Sequence, residues 1–137
     1  MTRKKIVALT LSALGMAGLA APIAAHHSFS AEFDINQPVQ LTGKVIRMEF
    51  TNPHSYIYLE VTTASGEVQE WAIEGGAPNA LIRRGWSRDS LPAGTEVVVL
   101  GYRSRDGENR ASGGAVTLPD GSELNVTSVG IGAPSAD

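Results

Sequence analysis

"HSYIYLEVTTASGEVQEWAIEGGAPNALIRRGW", residues 54–86, carries two strands and then a helix, and that order decides the fold. Over residues 54–61 the side chains alternate. Ile57, Leu59 and Val61 point one way and His54, Tyr56, Tyr58 and Glu60 the other, the period-two pattern of a half-buried strand. Ala64-Ser65-Gly66 makes a turn, and residues 67–74 return as a second strand with Trp71 and Ile73 on one face. Gly75-Gly76 then loosens the chain, and residues 78–84 read as a short helix. Pro78 suits its first turn, Arg83 and Arg84 suit its last, and Gly85 suits the C-terminal cap. Trp86 follows the glycine, where an apolar residue packs back on the final turn.

Working outward, "PVQLTGKVIRMEF" (residues 38–50) reads as a long first strand with a bulge or bend at Gly43. Asn52-Pro53 ends it, because proline cannot donate to a ladder and restricts the residue before it. Downstream, residues 95–103 form a further strand, and "GGAVTLPDGSELNV" (residues 113–126) a terminal hairpin turning at Asp120-Gly121. Between them "YRSRDGENR", residues 102–110, reads as a solvated loop with a turn at Asp106-Gly107. Three strands, a helix and further strands predict an all-β domain with one short helix, an OB-fold-like five-stranded Greek-key barrel. One arm of the last hairpin is then an addition, and a small β-sandwich is the alternative. Trp71 and Trp86 belong to the core on either reading.

The first residues place this domain in a compartment. Arg3, Lys4 and Lys5 precede an apolar run from residue 6 to about 21, and Pro22-Ile23-Ala24-Ala25 supplies small residues. This layout predicts a secretory signal peptide over residues 1–25, with an uncleaved membrane anchor as its rival. A leader over residues 26–37, a barrel domain over 38–126 and a flexible tail over 127–137 complete the layout. Cleavage after Ala25 removes three basic residues and none of the 14 acidic ones, so the formal charge moves from −3 to −6. Such an acidic balance argues against nucleic acid and anionic lipid as partners. The chain has no cysteine, which excludes disulfides, thiolate metal sites and a lipid-modified N-terminal cysteine. The expectation is a periplasmic protein with no membrane span after cleavage. Its oligomeric state is left open, and a periplasmic protein partner is open too.

All three histidines fall in two places, His26-His27 and His54. A mature chain beginning at His26 has a free α-amine and an imidazole on one residue, and the two can chelate a metal together. Cu(II) favours such nitrogen donors in a tetragonal plane. His54 or His27 can supply a third nitrogen, in an arrangement like the histidine brace of secreted copper proteins. Cleavage after Ala24 instead leaves Ala-His-His, which captures Cu(II) or Ni(II) through amine, amides and His27. Phe29 and Phe33 are candidates to pin the leader against the barrel. Glu32 and Asp34 are possible oxygen ligands, and Tyr56 and Tyr58 are candidates to support a ligand or line the face where it binds. The bland alternative is that the histidines are simply solvated.

No phosphate loop, GxSxG elbow or HExxH helix occurs, and the expectation is a binding protein without catalytic residues. Glu70 and Glu74 share an outward strand face but lack the cleft that paired glycosidase carboxylates need. Taken together, "HHSF", "FD", "LTGKV", "NPH", "LIRRGW" and "GTEVVVLG" resemble an uncharacterised family of small exported bacterial proteins, a domain of unknown function. That resemblance implies export and a small β-barrel body, and carries no established activity. The function classes are thus a copper carrier, buffer or delivery protein, a module whose barrel face binds a periplasmic protein or small ligand, and, third, a copper oxidase or oxygenase, which needs a substrate cleft and an open metal position.

Overall fold

The computed structural model describes residues 29–128 and 132–134. Six strands form one sheet: β1 (Phe33–Glu49), β2 (Tyr56–Thr62), β3 (Val68–Glu74), β4 (Glu96–Ser104), β5 (Arg110–Thr117) and β6 (Glu123–Asn125). Their order is β3-β2-β1-β4-β5-β6, and a further pairing joins β3 to β5. That pairing is parallel, and the others are antiparallel. One helix, α1 (Pro78–Arg83), lies between β3 and β4, and residues 29–32 are also helical. None of the described helices is long and apolar enough to cross a membrane.

The length of β1 organises the sheet. Its first part pairs with β4, from Phe33 opposite Ser104 to Lys44 opposite Glu96. Its last part pairs with β2, from Lys44 opposite Glu60 to Glu49 opposite Tyr56. Gly43 sits at the changeover, where a Cβ would come 2.5 Å from the Glu60 carbonyl oxygen. Its role is therefore close backbone approach. The bulge expected at Gly43 falls instead between Val45 and Arg47, leaving Ile46 unopposed by β2.

Alternation in β2 and β3 builds the core as the sequence predicts. Ile57, Leu59 and Ile73 are fully buried, Trp71 nearly so, and Val45, Val97, Val99 and Val116 close over them. Each fully buried aliphatic side chain contributes about 1.5–3 kcal/mol. Leu81 brings α1 onto this core. The helix starts on Pro78 and is followed, past its cap residue Arg84, by Gly85, whose φ of +93° only glycine adopts freely. The Trp86 backbone N–H then returns to the Leu81 carbonyl at 3.1 Å, and its indole N–H donates to the Asn125 carbonyl at 2.8 Å. Arg84 donates to the Thr127 carbonyl at 2.6 Å, so the helix end is tied to the chain leaving β6.

Two element limits differ from the expectations. β1 begins at Phe33, before Pro38, because the buried Phe33 ring anchors a stretch whose following residues are polar. The supposed loop at residues 102–110 is the end of β4, a tight turn and the start of β5. At the other end, Thr127 is buried and donates to the Gly114 carbonyl, and Ala133 lies against Gly114.

Candidate functional site

Register brings a carboxylate and an imidazole together at the end of β2 and β3. Tyr56 lies opposite Glu74, so the first residue of β2 and the last residue of β3 meet at one rim. Two backbone bonds lock this corner: Gly75 N–H to Ser55 O at 2.8 Å and Ser55 N–H to Gly76 O at 3.0 Å. His54 extends from the corner with its Nδ1 2.6 Å from Glu74 Oε1. Its side chain is 41% exposed, whereas that of Glu74 is 5% exposed. A histidine reaches solvent here from a buried carboxylate.

The other Glu74 oxygen has partners of its own. Tyr56 donates its hydroxyl to Oε2 at 3.3 Å, and Arg110 Nη1 lies 3.7 Å away. Arg110 arrives through the parallel β3–β5 pairing, which sets it beside Ala72, two residues along β3 from Glu74. Its guanidinium also meets Glu32 Oε2 at 3.2 Å, Asp106 Oδ2 at 3.0 Å and the Ser104 hydroxyl at 3.2 Å, while its carbon lies over the Phe33 ring, 5.2 Å from the centroid. One arginine thus joins three carboxylates from three parts of the chain.

The N-terminal segment is fastened beside this cluster. Phe29 and Phe33 are buried with centroids 5.5 Å apart, as expected of residues that pin the leader. Arg105 donates from Nε to the Ser30 carbonyl at 2.8 Å and from its backbone N–H to the Glu32 carbonyl at 2.9 Å.

Burial raises the Glu74 carboxyl above the ordinary range; His54 and Arg110 oppose the rise and the Glu32 charge adds to it. Burial raises the Tyr56 phenol as well, helped by the Glu74 charge and hydrogen bond. Asp106 goes the other way, to about 2, because the Ser104 hydroxyl and the Glu108 backbone N–H donate to its carboxylate. Burial works against the charge of Arg110, but its bonds to Asp106 and Glu32 more than offset this and hold it above its ordinary value.

Of the residues singled out in the sequence, His54, Tyr56 and Glu32 share this cluster. His26 and His27 lie outside the described residues. Asp34 is engaged elsewhere, accepting from the Asn36 backbone at 3.0 Å and from Arg105 at 3.3 Å. Tyr58 lies beneath the Arg47 guanidinium, 3.6 Å from ring centroid to carbon, with the Tyr56 ring 6.2 Å away. Glu74 does share a face parity with Glu70, but unlike Glu70 it is covered. Glu74, Arg110, Asp106 and Ser104 complete the cluster without having been singled out as site residues. The signal that could have found them is a glutamate ending a strand directly before Gly75-Gly76, with an arginine just after the Asp106-Gly107 turn.

Among the described residues no group of three or more His, Cys, Asp or Glu is arranged to hold a metal ion. His54 is there as a single nitrogen donor, with Nδ1 engaged and Nε2 remaining. The nearby open depression of about 550 Å³ is lined by Glu70, Ala72 and residues 107–110, more polar than apolar, unlike the apolar pockets that bury small organic ligands.

Fold and site together define a mostly β protein with a carboxylate-held histidine at the rim of its sheet. The chain belongs to a family of unknown function (DUF6152), whose model matches residues 13–113. No curated protein and no solved structure gives a significant match.

Proposed function

We propose that this is an exported periplasmic Cu(II)-binding protein, a carrier, buffer or delivery partner, in which His54 joins the histidines of a processed N-terminus. One observation carries the reading: His54 is held through Nδ1 by the buried Glu74 and is otherwise open to solvent. Ligating histidines characteristically donate their second ring N–H to a carboxylate, which orients the ring and raises ligand basicity. The fastening of residues 29–34 supports it, because Glu32 and Glu74 meet the same guanidinium. Three residues of extended chain reach about 10 Å, so donors at His26 and His27 have a short path from the Phe29 anchor. Three carboxylates around Arg110 also leave the rim short of positive charge, which favours a bound cation. The parallel β3–β5 pairing supports closure of the sheet as an OB-type barrel, with β6 as an added strand and this rim at one end.

The test is intact-mass analysis of the exported protein with and without copper, followed by titration. A chain beginning at His26 or Ala25 and one tight equivalent with a nitrogen-rich tetragonal signal are expected. Replacement of His54 weakens binding, as does one added residue at the terminus. An uncut chain, a start beyond Ser28, or affinity indifferent to His54 would overturn the reading.

The outward strip of Arg47, Tyr58 and Tyr56 favours a second reading, an interaction module for a periplasmic protein. Arginine and tyrosine are the residue types enriched at binding hot spots. A partner that stays bound after His26, His27 and His54 are replaced, and leaves when Tyr58 is, supports this reading over copper.

A further inference from the structure

We propose that Glu74 is a positioning residue that fixes His54 as its Nδ1–H tautomer and so reserves Nε2 for an electron-pair acceptor, a borderline transition-metal cation. The inference rests on the copper reading for the identity of that cation and on the structure alone for the tautomer.

The geometry holds the ring from several sides. Glu74 Oε1 lies 2.6 Å from Nδ1, the separation of a charge-assisted bond. Where the Glu74 carboxylate is ionised it only accepts, so the proton of that bond then belongs to the imidazole. Tyr56 and Arg110 occupy Oε2 and leave Oε1 for the histidine. The backbones are fixed too: Ser55 is bonded in both directions to Gly75 and Gly76, and the Thr51 hydroxyl donates to the His54 carbonyl at 2.9 Å. Gly75 admits no side chain, since a Cβ there would come 2.6 Å from Val126 Cγ2. A solvent-exposed histidine ordinarily prefers its proton on Nε2, which turns the lone pair of that atom into an N–H. Which nitrogen carries the proton is set by the bond the other one makes. Here that partner is buried and bonded through its other oxygen, so the nitrogen that keeps its lone pair is Nε2.

Long-range proton–nitrogen correlation on the ¹⁵N-labelled, metal-free, full exported chain reads the tautomer directly, above the pH where imidazole is neutral. Loss of one signal set in His54→Ala assigns it. The expected result is a protonated Nδ1 and a bare Nε2 at His54, reverting toward the free-histidine mixture in Glu74→Leu. Cu(II) affinity then falls roughly 10–100-fold in Glu74→Leu, with His54→Ala setting the floor. A proton on Nε2 in the unaltered chain overturns the proposal, as does a folded Glu74→Leu that keeps the Nδ1 proton. Where Glu74→Leu does not fold, the unaltered chain's spectrum decides. A protonated Nδ1 with no copper binding overturns the copper reading and leaves the assignment of Glu74 standing.

Discussion

Phe29 meets Tyr102 edge-on, with ring centroids 6.0 Å apart and planes at 89°. The contact ties the first described residue to the end of β4 and, with Phe33, sets the path of the N-terminal segment. Phe29→Ala is expected to cost about 2–3 kcal/mol, less than the ~3–5 kcal/mol of a central phenylalanine, because a terminal segment can relax. Urea unfolding measures the loss. Hydrogen exchange shows where it acts, with protection falling at residues 29–34 and persisting in β2 and β3.

Gly43→Ala strikes the crossing of β1 from one partner to the other. The added carbon would meet Glu60 backbone oxygen at 2.5 Å and Val61 Cγ2 at 3.1 Å. Backbone cannot swing aside as a side chain can, so a loss of about 1–3 kcal/mol is expected, the usual cost of overpacking. A Tm equal to that of the unaltered chain would contradict this close approach.

Ser55→Ala runs the opposite way. Ser55 is fully buried and its hydroxyl has no hydrogen-bond partner among the described residues. Leaving such a group unsatisfied costs about 1–3 kcal/mol, so removing it leaves stability unchanged or raises it by up to about 1 kcal/mol. A marked fall in Tm would mean that the hydroxyl has a bonded partner.

Acid should loosen the β4–β5 turn through Asp106. Its folded-state pKa, about 2, lies below the ordinary 3.8, so the folded state binds its proton less readily than the unfolded chain. The stability this contributes is complete above about 4 and is lost as pH falls toward 2. Asp106→Asn should therefore be less stable than the unaltered chain at neutral pH, with the gap closing across that window. Unfolding midpoints at successive pH values measure it.

Local chemistry was legible in the sequence wherever one element carried its own signal. The alternation of Ile57, Leu59 and Val61 gave β2, and Pro78, Arg83, Gly85 and Trp86 bracketed α1. β1 was read late because Asp34, Asn36 and Gln37 carry no apolar alternation; Phe33 anchors that stretch against β4. The ion cluster was illegible for a related reason. Glu74, Arg110 and Glu32 come from separate strands or segments, and only the parallel β3–β5 register and the Phe33–Ser104 pairing bring them together. His54 stood out because histidines are rare in the chain. Glu74, its partner, resembled any other surface glutamate until Tyr56 and Arg110 covered it.

The two-partner role of β1 has a kinetic consequence. A nascent chain ending before residue 96 can zip β1 to β2 and β2 to β3, yet residues 33–43 still lack the strand they pair with. Distant segments must therefore find one another before the native state gains its stability, which places folding nearer milliseconds to seconds than microseconds. Truncation from the C-terminal side should produce aggregation through that bare first strand well before it produces a smaller folded unit.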